Sequence, residues 1–502
     1  MDLSQVIEGM PITKIFQTMF GKMVVTHEVK VAGIQYDSRK VGRDDLFVAI
    51  RGLVADGHRF IINAVSNGAK TIILEDDSAI PDSYFMHTEV VKIVVRDARK
   101  ALAIAAANFY NKPAAGLNII GITGTNGKTT TTHLVKSILE AQGEKVGLIG
   151  TIAYLAGNET IPATHTTPES LELHQLFGTM RQKACTSVVM EVSSHSLAMQ
   201  RVFGVDFRAG VFTNLTQDHL DFHGTMEEYF TAKKSLFTSL DSRSIAVTNL
   251  DDPYGRTIVE GAAGNIVTYS LDKAASVQGK NIRLRFDKTS VQIGHDGISH
   301  DLTTSLIGRF NVQNVLAAYA TGVGLGIPDA TIVKGIESTR PVQGRFEQIA
   351  SPRGWTAIID YAHTPDALDN CLRAINDIRP AKGSGRIITI FGCGGDRDKA
   401  KRPLMGRIAS AASDVTIVTS DNPRTENPDR IINDITAGIE TKTNLHVESD
   451  RRKAIKHALT LASDGDIVLI AGKGHEDYQV VGTEKHHLDD REEVESFIEG
   501  LA

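Results

Sequence analysis

Between Leu117 and Gly143 the chain passes from a continuous apolar run, LNIIGIT, through a glycine-rich turn, GTNGKTT, into a segment whose apolar residues Leu134, Val135, Ile138 and Leu139 recur at helical spacing. A strand that enters a helix through such a turn belongs to a mostly parallel sheet covered by helices. The apolar runs VGLIGTI, TSVVMEVSS, AGVFTNL and SIAVTNL repeat the pattern downstream, each trailed by polar or helical sequence. The turn also predicts chemistry. Its backbone N–H groups and the helix N-terminus can cradle phosphates, Lys128 adds a point charge, and the Thr129 hydroxyl suits Mg2+. The loop departs from the common G-x-x-x-x-G-K pattern, because position 122 is Ile where that pattern has Gly. A glycine turn without a ligand is the plain alternative; strand, helix, lysine and hydroxyl together favour phosphate.

At 502 residues the chain is too long for one hydrophobic core, and roughly 100 to 200 residues per domain suggests three. Residues 1–98, with apolar runs at Leu46–Ile50 and Thr71–Leu74, read as a small N-terminal α/β domain. Residues 99–338 read as a central domain built on the phosphate loop, and 339–502 as a C-terminal Rossmann-like α/β domain. A net charge of -6 gives no global basic field, so nucleic acid is not an expected partner. Three cysteines without metal-ligand spacing exclude a disulfide framework and fit a reducing compartment. The first residues, MDLSQVIEGM, lack a basic segment followed by an apolar one, and no apolar run approaches the roughly 18 residues that span a bilayer. Neither export nor membrane insertion is expected, and a cytoplasmic monomer is.

In the last third, four apolar runs each end in an unusual polar loop: AIIDYAHTP, IITIFGCGGDRDK, VTIVTSDNPRTENP and IVLIAGKGHEDYQ. Ligands of open α/β sheets bind beyond the carboxyl ends of strands, so four polar clusters at four exits predict one shared site. GCGGD is a decoy for a dinucleotide fingerprint, since it lacks G-x-G-x-x-G.

The loop Gly124, Thr125, Asn126, Gly127, Lys128, Thr129, Thr130 is followed, in order, by HTTPE (165–169), MEVSSHSL (190–197), VFTNLTQDHLDFHG (211–224), AKKSLF (232–237), GRFNVQN (308–314), GRFE (344–347), DYAHTPDAL (360–368), GCGGDRDKAKRPLMG (392–406), DNPRTENP (421–428) and GKGHEDYQ (472–479). Together these resemble the Mur ligase family over nearly the whole chain. The resemblance implies an ATP- and Mg2+-dependent amide-bond ligase of peptidoglycan precursor synthesis. It would add meso-diaminopimelate to UDP-N-acetylmuramoyl-L-alanyl-D-glutamate through an acyl-phosphate.

Residue by residue, the resemblance implies that the loop 124–130, Asn311, Arg345 and Asp360 bind ATP, with His363 a further candidate on that face. It implies that Glu191 and His219 join Thr129 at Mg2+, while Asp218 and His223 stay ambiguous. Lys233 and Lys234 alone read as a solvated helix face; the resemblance implies that Lys233 is carbamylated and becomes a metal ligand, which requires a neutral amine. Lys128, Lys233 and His219 are thus the implied catalytic residues. Ser38, Thr166, Thr167, Ser193 and Arg201 are the implied contacts to the UDP-muramoyl dipeptide, although Met199 stands where some relatives carry Gln. Arg397, Asp421, Asn422, Pro423, Arg424, Gly472 and Glu476 are implied for diaminopimelate, whose second carboxylate suits a guanidinium fork. L-Lysine as amino acid, folylpolyglutamate synthesis, or a P-loop switch with no ligase product are the alternatives.

Overall fold

The computed structural model describes all residues except 20–21, 24–25, 53–54, 380–384, 442 and 502. The chain forms two compact units, one of residues 1–121 and 144–208, the other of 122–143 and 209–502.

In the first unit a five-stranded sheet is ordered Ile12–Phe16, Val91–Val95, Thr71–Leu74, Leu46–Val48, Ile34–Gln35. Only the Ile12–Phe16 pairing is antiparallel; the others are parallel. Thr71–Leu74 and Val91–Val95 are buried along their whole length, as strands covered on both faces must be. One face packs on the helix Ala98–Phe109, whose N-terminus the Asp97 side chain caps through Lys100 N, and the other on Ile61, Ala64 and Phe85. The same unit holds Val146–Ile149 parallel to Ser187–Glu191, an antiparallel hairpin Ala153–Ala156 and Glu159–Pro162, and the helix Ser170–Gln182.

In the second unit the helix Lys128–Ala141 packs on Arg309–Gly324 and Asp329–Glu337. Its closest approach is at Gly335, where an added Cβ would stand 2.5 Å from Ile138 Cα. Phe207–Phe212, Ile245–Asn249, Asn265–Ser270 and Val277–Leu284 pair in parallel, and the hairpin Thr289–His295 and Ile298–Thr304 continues the sheet antiparallel. A six-stranded sheet is ordered Glu347–Ala350, Thr356–Asp360, Ile467–Ala471, Ile387–Phe391, Val415–Val418, Leu445–Val447, parallel but for its first pair. Ile358, Ile388, Ile390, Ile417 and Leu469 are fully buried between its helix layers. The architecture is the α/β one expected, and the four apolar runs of the last third are the sheet's four adjacent inner strands, so their polar exits share one edge.

Three imidazoles, His174 buried and His133 and His475 partly so, bear on the acid response of this fold. Burial pushes His133 and His174 down to about 4 and His475 to about 3. Their folded values lie below the unfolded value near 6.5, so stability is complete above pH 6.5 and is lost as pH falls, at about 1.4 kcal/mol per pH unit for each imidazole the unfolded chain protonates first. Thermal unfolding followed from pH 7.5 to 5 should show Tm falling below pH 6.5, and the His174→Gln variant should show a shallower fall. A Tm flat across this range would refute the neutral assignment.

Candidate active site

The glycine-rich loop owes its shape to two positions that tolerate no side chain. Gly124 and Gly127 have φ of +151° and +83°, and a Cβ would meet Thr213 Oγ1 at 1.8 Å in the first case and Asn314 Oδ1 at 2.2 Å in the second. Asn214 holds the loop from the next strand exit: its carbonyl accepts from Thr125 N at 2.8 Å and its Oδ1 from Asn126 N at 2.9 Å. Lys128 Nζ folds back to donate to the carbonyls of Gly124 and Thr125, at 2.9 and 2.8 Å. Thr129 and Thr130 are buried in the first turn of the 14-residue helix, where its dipole favours an anion.

Lys233 is not on a solvated face. It is 1% exposed, its Nζ donates to the Gly124 carbonyl at 2.8 Å, and it lies 4.5 Å from the centre of the Tyr229 ring. Burial first, and the positive charge of Lys128 second, hold its amine well below the ordinary lysine range, against the opposing pull of Asp218. Tyr229 is the residue sequence reading missed here; it stands four positions before Lys233, the spacing that stacks side chains on one helix face. Its hydroxyl pairs with Thr125 Oγ1 at 3.1 Å, tying this helix to the loop a second time.

Asp218 lies 3.4 Å from His219 Nε2 and 3.7 Å from His363 Nε2. Burial works to raise its carboxyl, but His363 and His219 outweigh that and keep it ionised far below the usual range. His219 has a left-handed backbone, φ +56°, at the start of a helical turn, and its ring stands edge to face with Tyr229 at 6.2 Å. Further residues from beyond 339 reach the phosphate loop. Arg345 Nη2 donates to Thr129 Oγ1 at 3.1 Å, and Asn126 Nδ2 to Asp366 Oδ2 at 2.8 Å. Arg345 also stacks on the Tyr361 ring at 4.5 Å. Asp360 is buried and accepts from Phe346 N at 2.7 Å; burial raises its carboxyl despite Arg345. Asn311 is turned inward, donating to the Ile307 carbonyl at 2.8 Å and accepting from Asn314 at 3.0 Å, so it reaches the loop through Asn314.

In the first unit Thr167 binds three of the other expected residues, Glu191, Ser193 and Arg201. Its Oγ1 donates to the Glu191 carbonyl at 2.8 Å and accepts from Ser193 N at 3.1 Å, and its carbonyl accepts from Arg201 Nη1 at 3.0 Å. Glu191 is buried and takes Thr151 N at 2.9 Å, and Thr151 Oγ1 in turn meets Thr166 Oγ1 at 3.1 Å. Ser38 is buried in a short helical turn, its carbonyl bonded by Asn67, and nearby Tyr36 donates to Glu172 at 2.8 Å. Arg201 and Arg99 both approach Glu169 Oε2, at 3.3 and 3.5 Å. Arg99 and Glu169 were not singled out from sequence; the acidic end of HTTPE was the available signal. The departure at Met199 leaves its sulfur 3.5 Å from Arg201 Nη2.

At the shared strand edge, Arg424 and Arg397 converge: a Cβ on Gly394 would lie 2.8 Å from Arg424 Nη1 and 3.7 Å from Arg397 Cγ. Burial and the neighbouring charge of Arg397 lower the Arg424 guanidinium from its ordinary value, against the pull of Asp421, Glu476 and Asp396. Asn422 Nδ2 donates to Glu476 Oε2 at 2.9 Å, and the Asn422 carbonyl, one residue before Pro423, accepts from Gly395 N at 2.9 Å. Asp421 Oδ2 is buried with no hydrogen-bond partner among the described residues and lies 2.8 Å from where a Gly472 side chain would begin. Of the residues expected at an amino-acid pocket, Asn422 thus meets Glu476, Asp421 approaches Gly472, and Arg424 and Arg397 both stand beside Gly394.

Among the described residues no group of three or more His, Cys, Asp or Glu is gathered as a metal site.

Family models match in three stretches: a Mur ligase family catalytic domain over residues 30–110, a Mur ligase middle domain over 122–322, and a Mur ligase glutamate ligase domain over 344–474. The chain is 45% identical over 477 residues to a UDP-N-acetylmuramoyl-L-alanyl-D-glutamate–2,6-diaminopimelate ligase of Clostridium tetani, covering 94% of this chain and 96% of that one. It is 43% identical over 496 residues to the ligase of the same name from Clostridioides difficile, covering 98% of both. A solved structure of a ligase so named superposes with TM-score 0.67 at 30% identity over 100% of this chain and 99% of that one. A Mycobacterium tuberculosis folylpolyglutamate synthase, 16% identical, shares the fold with TM-score 0.62 over 75% of this chain and 93% of its own. With all three matched stretches and this identity over nearly its whole length, the chain belongs to the Mur ligase family.

Proposed function

We propose that this chain is an ATP-dependent ligase that joins meso-diaminopimelate to the D-glutamyl side-chain carboxylate of UDP-N-acetylmuramoyl-L-alanyl-D-glutamate. The observation that carries the reading is the convergence of Arg397 and Arg424 at one strand edge, in a unit whose phosphate loop is touched by Arg345. The carboxylate takes the γ-phosphoryl group of ATP, giving an acyl-phosphate and ADP; the amine of diaminopimelate then displaces phosphate. Lys128 offsets charge on the transferred group, and Arg345, Asp360 and Asn311 hold the nucleotide. Ser38, Thr166, Thr167, Ser193 and Arg201 hold the UDP-muramoyl dipeptide. Thr129, Glu191, His219 and carbamylated Lys233 are the proposed Mg2+ ligands, the carbamate forming when the neutral amine adds to CO2 and releases a proton. Mg2+ supplies charge neutralisation at the γ-phosphate.

Asp421, Asn422, Pro423, Gly472 and Glu476 complete the amino-acid pocket, with the unpaired Asp421 oxygen suited to an ammonium. Domain limits at 1–98, 99–338 and 339–502 go with this division of labour. No helix among the described residues is long and apolar enough to cross a membrane, and we place the enzyme in the cytoplasm as a monomer. The direct test is to incubate the protein with ATP, the UDP-muramoyl dipeptide and a panel of diamino acids, and to weigh the product. Phosphate release that needs neither peptide nor amino acid would favour a P-loop switch instead.

Replacing Lys128 by Ala should lower kcat/KM by at least about a thousandfold, several kcal/mol of transition-state stabilisation; near-normal turnover would sink the phosphate-loop assignment. Lys233→Ala should be severely impaired and partly restored by short-chain carboxylic acids, which supply the missing oxygens. An unmodified lysine in a crystal structure, with no rescue by any acid, would remove the carbamate from the scheme. Meso-diaminopimelate should be preferred to L-lysine by roughly 10⁴ in kcat/KM, because lysine leaves two guanidiniums without their anion. Arg424→Ala should shrink that ratio while ATP binding changes little, and an unchanged ratio would show that Arg424 does not read the second carboxylate.

A further inference from the structure

We infer that Lys473 is the positioning residue of the amino-acid pocket, its buried ammonium holding Arg424 in register by locking the segment Asp421–Arg424 to the strand Tyr478–Val481. The inference rests on the diaminopimelate reading of that pocket. Lys473 is 0% exposed, although a lysine of the GKGHE loop would be expected to extend into solvent. Its Nζ lies 3.3 Å from Glu476 Oε2 and 3.5 Å from Asn422 Oδ1, and it donates to the Tyr478 carbonyl. The Asn422 contact belongs to the arm Asp421–Arg424 and the Tyr478 contact to the strand Tyr478–Val481, with Glu476 between them.

The two arms are joined at four further points. Val480 N donates to Asn422 Oδ1 at 2.8 Å and Gln479 Nε2 to the Asp421 carbonyl at 2.6 Å. Arg424 N donates to the Val480 carbonyl at 3.0 Å, and Gly482 N to the Arg424 carbonyl at 2.8 Å. Arg424 is thereby bonded on both sides of its own backbone, and it needs to be. Its φ is +51°, a left-handed conformation that a non-glycine residue leaves unless neighbours hold it. Asn422 Oδ1 is the pivot, because it serves both the strand and the ammonium.

Charge makes Lys473 more than a peg. Asp421 and Glu476 are both acidic, and Arg451, the next cation after Lys473 acting on Asp421, is committed to a fully buried pair with Asp490 at 2.7 Å. Arg424 itself acts on Asp421 as a lesser cation and on Glu476 as well. Without the ammonium of Lys473, Asp421 and Glu476 would draw the Arg424 guanidinium inward, and its partnership with Arg397 would be lost. The pocket would then lose the anion-reading geometry while the phosphate loop stayed intact.

The test uses the full chain carrying Lys473→Met, similar in shape and uncharged, and Lys473→Gln, which keeps a donor for the Tyr478 carbonyl. The KM for meso-diaminopimelate should rise at least tenfold in Lys473→Met with KM for ATP and for the UDP-muramoyl dipeptide within twofold of wild type. The preference over L-lysine should fall at least tenfold, and Lys473→Gln should lie between. Equal changes in all three KM values, a fall in kcat alone, or failure of both variants to fold would make Lys473 a structural residue and overturn the inference. A wild type that does not ligate meso-diaminopimelate would instead overturn the reading of the pocket, so the two failures are separable.

Discussion

The carbonyl of Gly124 receives two ammonium groups, Lys128 at 2.9 Å and Lys233 at 2.8 Å, and the rest of the site is arranged around that crowding. Two cations on one oxygen repel each other, and the buried member suffers more because no water screens it. Burial and the neighbouring charge of Lys128 therefore hold the Lys233 amine well below the ordinary lysine range. The Tyr229 ring lies 4.5 Å from that amine, and the Tyr229 hydroxyl pairs with Thr125, so the lysine is packed against the loop. The same carbonyl that shapes the phosphate loop thus fixes the place of the buried Lys233 side chain. Loop geometry and lysine placement are one feature.

Much of this was legible in the chain because its periodicities are local. A run of apolar residues that ends in glycine and enters a 3.6-residue period defines strand, loop and helix without reference to anything distant, and the unit at 117–143 folds as read. The four inner strands of the last sheet were readable for the same reason, and their parallel order put the polar exits together. Helix-face reasoning failed at Lys233, where local pattern says only that a lysine pair stands on a helix. Its burial depends on the Gly124 carbonyl, 109 positions away in the chain. Asn311 shows the converse: its place near the loop was read, but its inward amide, engaged by Ile307 and Asn314, was not.

The supports of the pocket lie deeper in tertiary structure. Arg402 is fully buried and binds Glu426 and Asp434, and Glu426 in turn accepts from Asp396 N at 2.6 Å, joining the two loops that carry Arg397 and Arg424. Arg451 and Asp490 do the same for the base of the sheet. No spacing rule links residues 24 or 39 positions apart, so these pairs are invisible until the sheet assembles. Their cost in desolvation is offset by bidentate geometry and by the order they impose on loops.

That order explains how a ligase can discriminate by a single distant carboxylate. An exposed arginine on a flexible loop would gain little from an anion, since ordering the side chain would consume most of the attraction. Here Arg424 is more than half withdrawn from water, its backbone is bonded on both sides, and Arg397 already stands beside it. On the proposed reading of the pocket, a carboxylate entering here would meet two cations placed in advance, whereas an ammonium at that end would add a third positive charge. On that reading the fixed backbone of Arg424 matters as much as its side chain for selectivity.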